Sequence, residues 1–156
     1  MKKMGFLNKI QKEGKLALVE PSEEIKQSYI EKSESSLSSA KILLENDKLA
    51  ESVILAYYSM YHLLTALLFK TGIKSENHTA SIILMNKLFE LSDKEIMFAK
   101  KERVDKQYYV DFKITKQQVI DTIQITEEFN SKLTDIIVRL TNEDIKNARK
   151  KFNELF

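Results

Sequence analysis

The chain has 156 residues, 25 Lys and Arg against 23 Asp and Glu, and no cysteine. That length fits one domain able to bury a core unaided, and the missing thiols exclude disulfides, zinc–thiolate sites, iron–sulfur clusters and a cysteine nucleophile. A net charge of +2 is too small to drive duplex DNA binding by electrostatics alone.

With 43% hydrophobic and 31% charged residues, the composition is that of a soluble globular protein. Three glycines and one proline leave few breakers, which favours long helices over a multi-stranded sheet. Lys2 and Lys3 are not followed by a long apolar run, because Lys9, Lys12, Glu13 and Lys15 interrupt it, so no signal peptide is expected. The most apolar window, residues 53–69, holds Ser59, His62, Thr65 and three tyrosines. It is shorter than the ~20 residues a membrane span needs. The expectation is a cytoplasmic protein with no membrane segment.

Residues 5–19 carry a short amphipathic segment, which Pro21 stops. Ser22 is a good N-cap, and Glu23 and Glu24 suit the positive end of a helix over about residues 22–46. Ile25, Tyr29, Ser33, Leu37, Ala40 and Leu44 recur every three to four residues and define one buried stripe. The apolar period runs straight through the cluster Ser33, Ser35, Ser36, Ser38 and Ser39, so these small residues read as a close helix contact and not as a linker.

A second helix is predicted over about residues 48–71. It is apolar on almost every face from Val53 to Phe69, with only Ser59, His62 and Thr65 as a thin polar line. Gly72 supplies a left-handed stop. Ser75 is expected to cap a third helix over about residues 76–91. Ser92 to Glu95 fits a capping box that opens a fourth helix reaching about 107 or 109. Thr115 to Gln118 is a second capping box, opening a long fifth helix through Leu140. A short last helix covers about residues 142–155. No segment alternates convincingly with period two. The predicted class is all-α: an antiparallel bundle of four to five long helices with short helical extensions at both ends. Residues 1–20 read as an N-terminal helical extension and residues 21–156 as the bundle.

Chemistry has few places to sit. Two histidines cannot build a His-rich metal site, and there is no glycine-rich phosphate loop, nucleophile elbow or metal signature. No metal or cofactor is expected. His62 reads as a core histidine satisfied by Ser59, Tyr58 or a neighbouring helix. His78 falls near the third residue of a helix, where the helix N-terminus favours a neutral ring. Free N–H groups there, with Lys70 and Lys74, could hold a phosphate; the alternative is local capping or loop anchoring. Arg103 shares a helix face with Ala99 and Gln107, whereas Tyr108 and Tyr109 point elsewhere on a continuous helix. Lys100, Lys101, Arg103 and Lys106 with Tyr108 and Tyr109 make a composition suited to RNA contact, against the plainer reading of a solvated charged face. The group Lys146, Arg149, Lys150 and Lys151 reads as solvated surface.

The run Ala56-Tyr57-Tyr58-Ser59-Met60-Tyr61-His62, the serine-rich helix before it, the lysine–glycine turn and His78 after it together resemble an uncharacterised group of archaeal and bacterial HEPN proteins. The segments from Lys12 to Ser22 and from Arg103 to Tyr108 extend the likeness to about residues 10–140. The resemblance implies a helical, homodimeric domain of nucleic-acid and toxin–antitoxin biology. Nucleolytic HEPN domains carry Arg, four to six residues, then His, and cleave RNA without a metal. Here Tyr108 and Tyr109 stand where that histidine would be, and no histidine follows. An ordinary tyrosine, with a pKa near ~10, is a poor base at neutral pH. The resemblance therefore implies a non-catalytic or degenerate module that binds RNA, a nucleotide or a nucleotidyltransferase-type partner. Lys101, Arg103, Lys106, Tyr108, Tyr109, Lys74 and His78 are its candidate contacts. The alternative is a metal-independent RNase toxin using Arg103 with His78 or His62.

Overall fold

The computed structural model describes residues 2–108 and 113–156, with the side chains of 106–108 left aside. Among the described residues the chain forms seven helices and one two-stranded ribbon. In order these are α1 (Lys2–Lys12), β1 (Leu16–Leu18), α2 (Glu23–Glu45), α3 (Leu49–Thr71), β2 (Ile73–Ser75), α4 (His78–Phe89), α5 (Lys94–Tyr108), α6 (Lys116–Arg139) and α7 (Asn142–Glu154). The all-α class holds.

Helix α3 is the axis of the domain. It packs against α2, α4, α5, α6 and α7. Val53, Ala56, Tyr57, Met60, Leu64, Ala66 and Leu67 are fully buried along it. By length and composition it could cross a membrane, but 67% of its most apolar window is buried inside the fold, as expected of a core helix. Helices α2 and α3 are antiparallel neighbours joined by a short turn. Ser33 and Ser59 explain their closeness. Ser33 Oγ donates to Ser59 O at 2.7 Å, and Ser59 Oγ donates back to Ser33 O at 2.8 Å. Asn130 on α6 adds a third helix to the contact, its Nδ2 donating to Ser59 Oγ at 2.9 Å. The serine cluster thus does what small residues allow.

The helix signals mostly hold. Ser22 caps α2 by accepting from Ile25 N, and Thr115 forms a full capping box with Gln118. Gly72 ends α3 at φ 75°, in the left-handed region. Four details differ. Ser75 does not cap α4; it belongs to β2, and Asn77 takes the cap by accepting from Ala80 N. Glu95 reaches across to Lys132 on α6 at 3.2 Å, while Ser92 Oγ accepts from Lys94 N. Ile25 stands 40% exposed at the solvent end of its stripe. Residues 1–20 are not helical throughout, because α1 ends at Lys12 and the chain turns at Gly14 into β1.

That strand pairs antiparallel with β2, Leu16 opposite Ser75 and Leu18 opposite Ile73. Three residues per strand are too few for period two to show in sequence. The N-terminal segment packs on the bundle: Leu7 is fully buried and Ile10 nearly so. Burying such a side chain contributes roughly 1.5–3 kcal/mol.

The basic group on α7 is not all solvated surface. Arg149 turns inward, and its Nη1 donates to Val19 O at 2.8 Å, Gly72 O at 2.9 Å and Thr71 O at 3.2 Å. The guanidinium thus gathers the carbonyls of Thr71 and Gly72 at the end of α3 with that of Val19 beyond β1, and its charge suits the negative end of the helix.

Candidate functional site

Four-residue spacing along α3 places Tyr57 with Tyr61, and Tyr58 with His62, on adjoining faces. Tyr57 faces inward and is fully buried, while Tyr58, Tyr61 and His62 are half-buried. Asn77 caps α4 and so sets His78 as its first residue, directly against this row. The His78 ring stacks on Tyr61 with centroids 3.7 Å apart and 13° between planes. Its Nδ1 lies 2.8 Å from Tyr57 Oη.

From the other side α5 presses down on the same tyrosines. Ile96 and Ala99 anchor it in the core, and Arg103, one turn beyond Ala99, follows them inward. The guanidinium carbon lies 5.0 Å from the Tyr57 ring centroid and 5.6 Å from that of Tyr58, within cation–π reach. Arg103 Nη1 donates to Tyr58 Oη at 3.2 Å. Lys100 Nζ donates to Thr79 Oγ1 at 2.6 Å, tying α5 to α4 beside His78.

Around this cluster lies a cleft of about 340 Å³ between α2, α3 and β2. Tyr29, Tyr58, Tyr61, His62 and His78 offer it rings, Lys32 and Lys74 offer it cations, and Glu76, paired with Lys74, offers it a carboxylate. Tyr29 stacks on Phe69 at 5.7 Å and carries Lys32 Nζ 5.0 Å from its ring centroid.

Burial, then the positive charges of Arg103 and Lys100 and the nearby His62, push the His78 pKa down to about 4. Burial, then Lys32, lowers that of His62. Lys100 is lowered by burial and by Arg103. Burial holds the Tyr57 hydroxyl well above the usual phenol range. At neutral pH the cleft therefore holds two uncharged imidazoles, with the protonated phenol of buried Tyr57 behind them.

These shifts carry a stability prediction. An unfolded histidine takes up its proton near 6.5, while folded His78 refuses it until about 4. Stability is expected to be flat above pH 7 and to fall as pH drops from 6.5 to 4, with His62 adding in the same direction. After discounting for the partial exposure of the ring, the His78 loss is about 1–2 kcal/mol. Urea unfolding between pH 8 and pH 4 measures it, and His78→Gln should flatten most of the slope. A slope unchanged by that substitution would place the acid sensitivity elsewhere.

The structure brings His78, His62 and Arg103 together around Tyr57 and Tyr58. Of the partners expected for His62, Ser59 turns to Ser33 and Tyr58 to Arg103, and its Nδ1 finds none on a neighbouring helix among the described residues. His78 is neutral as expected, with burial as the leading cause. Lys74 is at the cleft edge, paired with Glu76 at 3.2 Å. Lys70 is not part of the site, because its Nζ donates to Ile137 O. Asn77 already occupies one of the N–H groups considered for phosphate. Lys101 is exposed on α5. Tyr109 and the side chains of Lys106 and Tyr108 lie outside the described residues. Sequence reasoning missed Tyr57, Tyr58, Tyr61, Tyr29 and Lys32. The spacing of four that pairs Tyr57 with Tyr61 and Tyr58 with His62 was the available signal.

The family model described as the HEPN domain matches residues 27–137, most of the chain and all of the cleft-bearing helices α3 and α4. The chain belongs to the HEPN family. It is also 48% identical over 54 residues to the UPF0332 protein PH1297 of Pyrococcus horikoshii, a stretch that is 35% of this chain and 38% of that protein. In this HEPN domain the histidine that meets the arginine's surroundings precedes it in the chain, and a tyrosine pair stands between the two.

Proposed function

We propose that this HEPN domain is a binding module that takes a nucleotide, or an unpaired stretch of RNA, into the cleft beside α3. One observation carries the reading: the cleft is walled by the rings of Tyr29, Tyr58 and Tyr61 and edged by Lys32 and Lys74. Rings stack on any base and contribute about 1–3 kcal/mol each, and lysines at the edge meet phosphate. Lys100, Lys101 and Arg103 add positive charge from α5. The test is fluorescence anisotropy with a labelled single-stranded RNA at rising salt. Retention that weakens with salt, and that Tyr58→Ala and Lys32→Ala reduce about tenfold or more, is expected. No retention at low salt would remove the reading.

Nuclease action is the second reading, favoured by the shared contact of Arg103 and His78 with Tyr57. Arg103 would stabilise charge developing on phosphorus, with His78 or His62 as the acid–base group. RNA incubated with the protein in EDTA decides: cleavage lost in Arg103→Ala favours the enzyme, and binding without cleavage favours the module. The proposal also includes a homodimer, supported by Met97 and Phe98, each 43% exposed on α5. A nucleotidyltransferase-type partner in a toxin–antitoxin pair enters from the family resemblance alone. Sedimentation of the pure protein and pull-down against the neighbouring gene product check these two points.

A further inference from the structure

A second hollow, of about 290 Å³, lies between α1, α4 and the start of α5. Phe6 of α1, Ile82 and Ile83 of α4 and Met97 of α5 give it an apolar lining. Ile82 is 2% exposed and Met97 43%, so this surface descends from an open rim to a buried floor. Such a shape takes an inserted side chain. Lys2 and Lys3 stand on the α1 rim. Lys94 and Lys101 lie three residues before and four after Met97, on the same face of α5. All four lysines are exposed, and none forms an ion pair among the described residues. Among those residues Asp93 is the one acid that lines the hollow. Thr79 on the α4 wall follows His78 of the cleft, so the two hollows share the first turn of α4.

We propose that this hollow is a docking groove for an acidic amphipathic helix of a partner protein. The apolar side chains of that helix seat on Ile82, Ile83 and Met97, and its carboxylates face Lys2, Lys3, Lys94 and Lys101. The mode is that of a helix laid in a groove and anchored by residues three and four apart. Charge sets the partner's sign: four lysines against one aspartate attract carboxylates and speed encounter. A second copy of this chain fits less well, because two-fold pairing of the groove with itself sets the same lysines face to face. The dimer considered above would compete for Met97. RNA has no stacking platform here, since Phe6 is the sole aromatic ring in the lining among the described residues. A bilayer is entered by apolar side chains that protrude, and Ile82 is sunk. One wall, α1, precedes the residues matched to the HEPN domain, so it is not drawn from the family-matched core. The inference stands apart from the nucleotide reading of the cleft.

The test uses the full chain and two fluorescein-labelled model helices. Both carry leucine at every third and fourth position; the remaining positions mix alanine with glutamate in one and alanine with lysine in the other. Fluorescence anisotropy at low salt should show the glutamate helix bound on the order of tenfold tighter or more, with the difference shrinking as salt rises. Methyl spectra should locate it, the signals of Ile82, Ile83 and Met97 shifting on titration. Met97→Asp, and separately Lys2→Glu with Lys3→Glu, alter exposed side chains and should leave the urea midpoint near the parent's. Each should weaken the glutamate helix about tenfold or more. A glutamate helix bound no tighter than the lysine helix overturns the proposal, as does binding that shifts none of the three methyl signals. A parent dimer that Met97→Asp turns into a monomer on sedimentation also overturns it, because the groove then belongs to a second copy.

Discussion

Replacing Gly72 with alanine is expected to destabilise the domain by about 4 kcal/mol, against the ~5–15 kcal/mol typical of a folded domain. Three effects add. The residue sits at φ +75°, where a Cβ costs roughly 1–2 kcal/mol. The new methyl would also lie well inside van der Waals contact of Arg149 Nη1 and Val19 O, with Pro21 Cδ at 3.0 Å. Two of these three neighbours are polar groups bonded to each other, so moving them apart breaks what closes the end of α3. Displacing the guanidinium leaves carbonyls without their donor, at about 1–3 kcal/mol. Arg149→Ala alone should cost about 2–3 kcal/mol. Because one contact underlies both losses, the double variant should be less destabilised than the sum. Urea midpoints for the four proteins measure this. A Gly72→Ala variant within about 1 kcal/mol of the parent would show that the turn can shift without loss.

The second large effect is expected at Ser59. Ser59→Ala removes a donor to Ser33 O and an acceptor for Asn130 Nδ2, at about 1–2 kcal/mol. Ser59→Leu does this and also forces a branched side chain between two helices held together through serine side chains. Overpacking adds about 1–3 kcal/mol, for a total of about 3–5 kcal/mol. It should also spread α2 from α3 and widen the cleft, since Tyr29 on α2 lies 5.9 Å from His62 on α3, centroid to centroid. Urea unfolding reads the first effect, and loss of nucleotide or RNA retention at native-like stability conditions reads the second. A leucine variant no worse than the alanine would mean that the helices have slack at this point.

Local signals were the legible ones. Ser22, Gly72 and Thr115 act through backbone groups a few residues away, so their roles can be read from neighbours in the chain. The burial of α3 was equally plain, because a helix apolar on nearly all faces has nowhere else to go. Ser75 misled because serine suits both a cap and a strand end, and Asn77 two residues on was the better-placed acceptor. Arg149 misled because nothing in Lys146 to Lys151 marks one cation as inward; its partners lie 77 to 130 positions away. The site was hidden for the same reason. His78 meets Tyr57 across 21 positions and Arg103 meets Tyr58 across 45. Those pairs follow from how α4 and α5 dock on α3, which no short stretch of sequence encodes.

The near-complete enclosure of α3 has a cost during synthesis. Its coverings, α5, α6 and α7, all follow it in the chain. A nascent polypeptide that has released α3 but none of the later helices presents to solvent a 23-residue apolar rod with α2 as the one helix packed on it. Such an intermediate is a client for chaperones and a seed for aggregation until the ribosome delivers the rest.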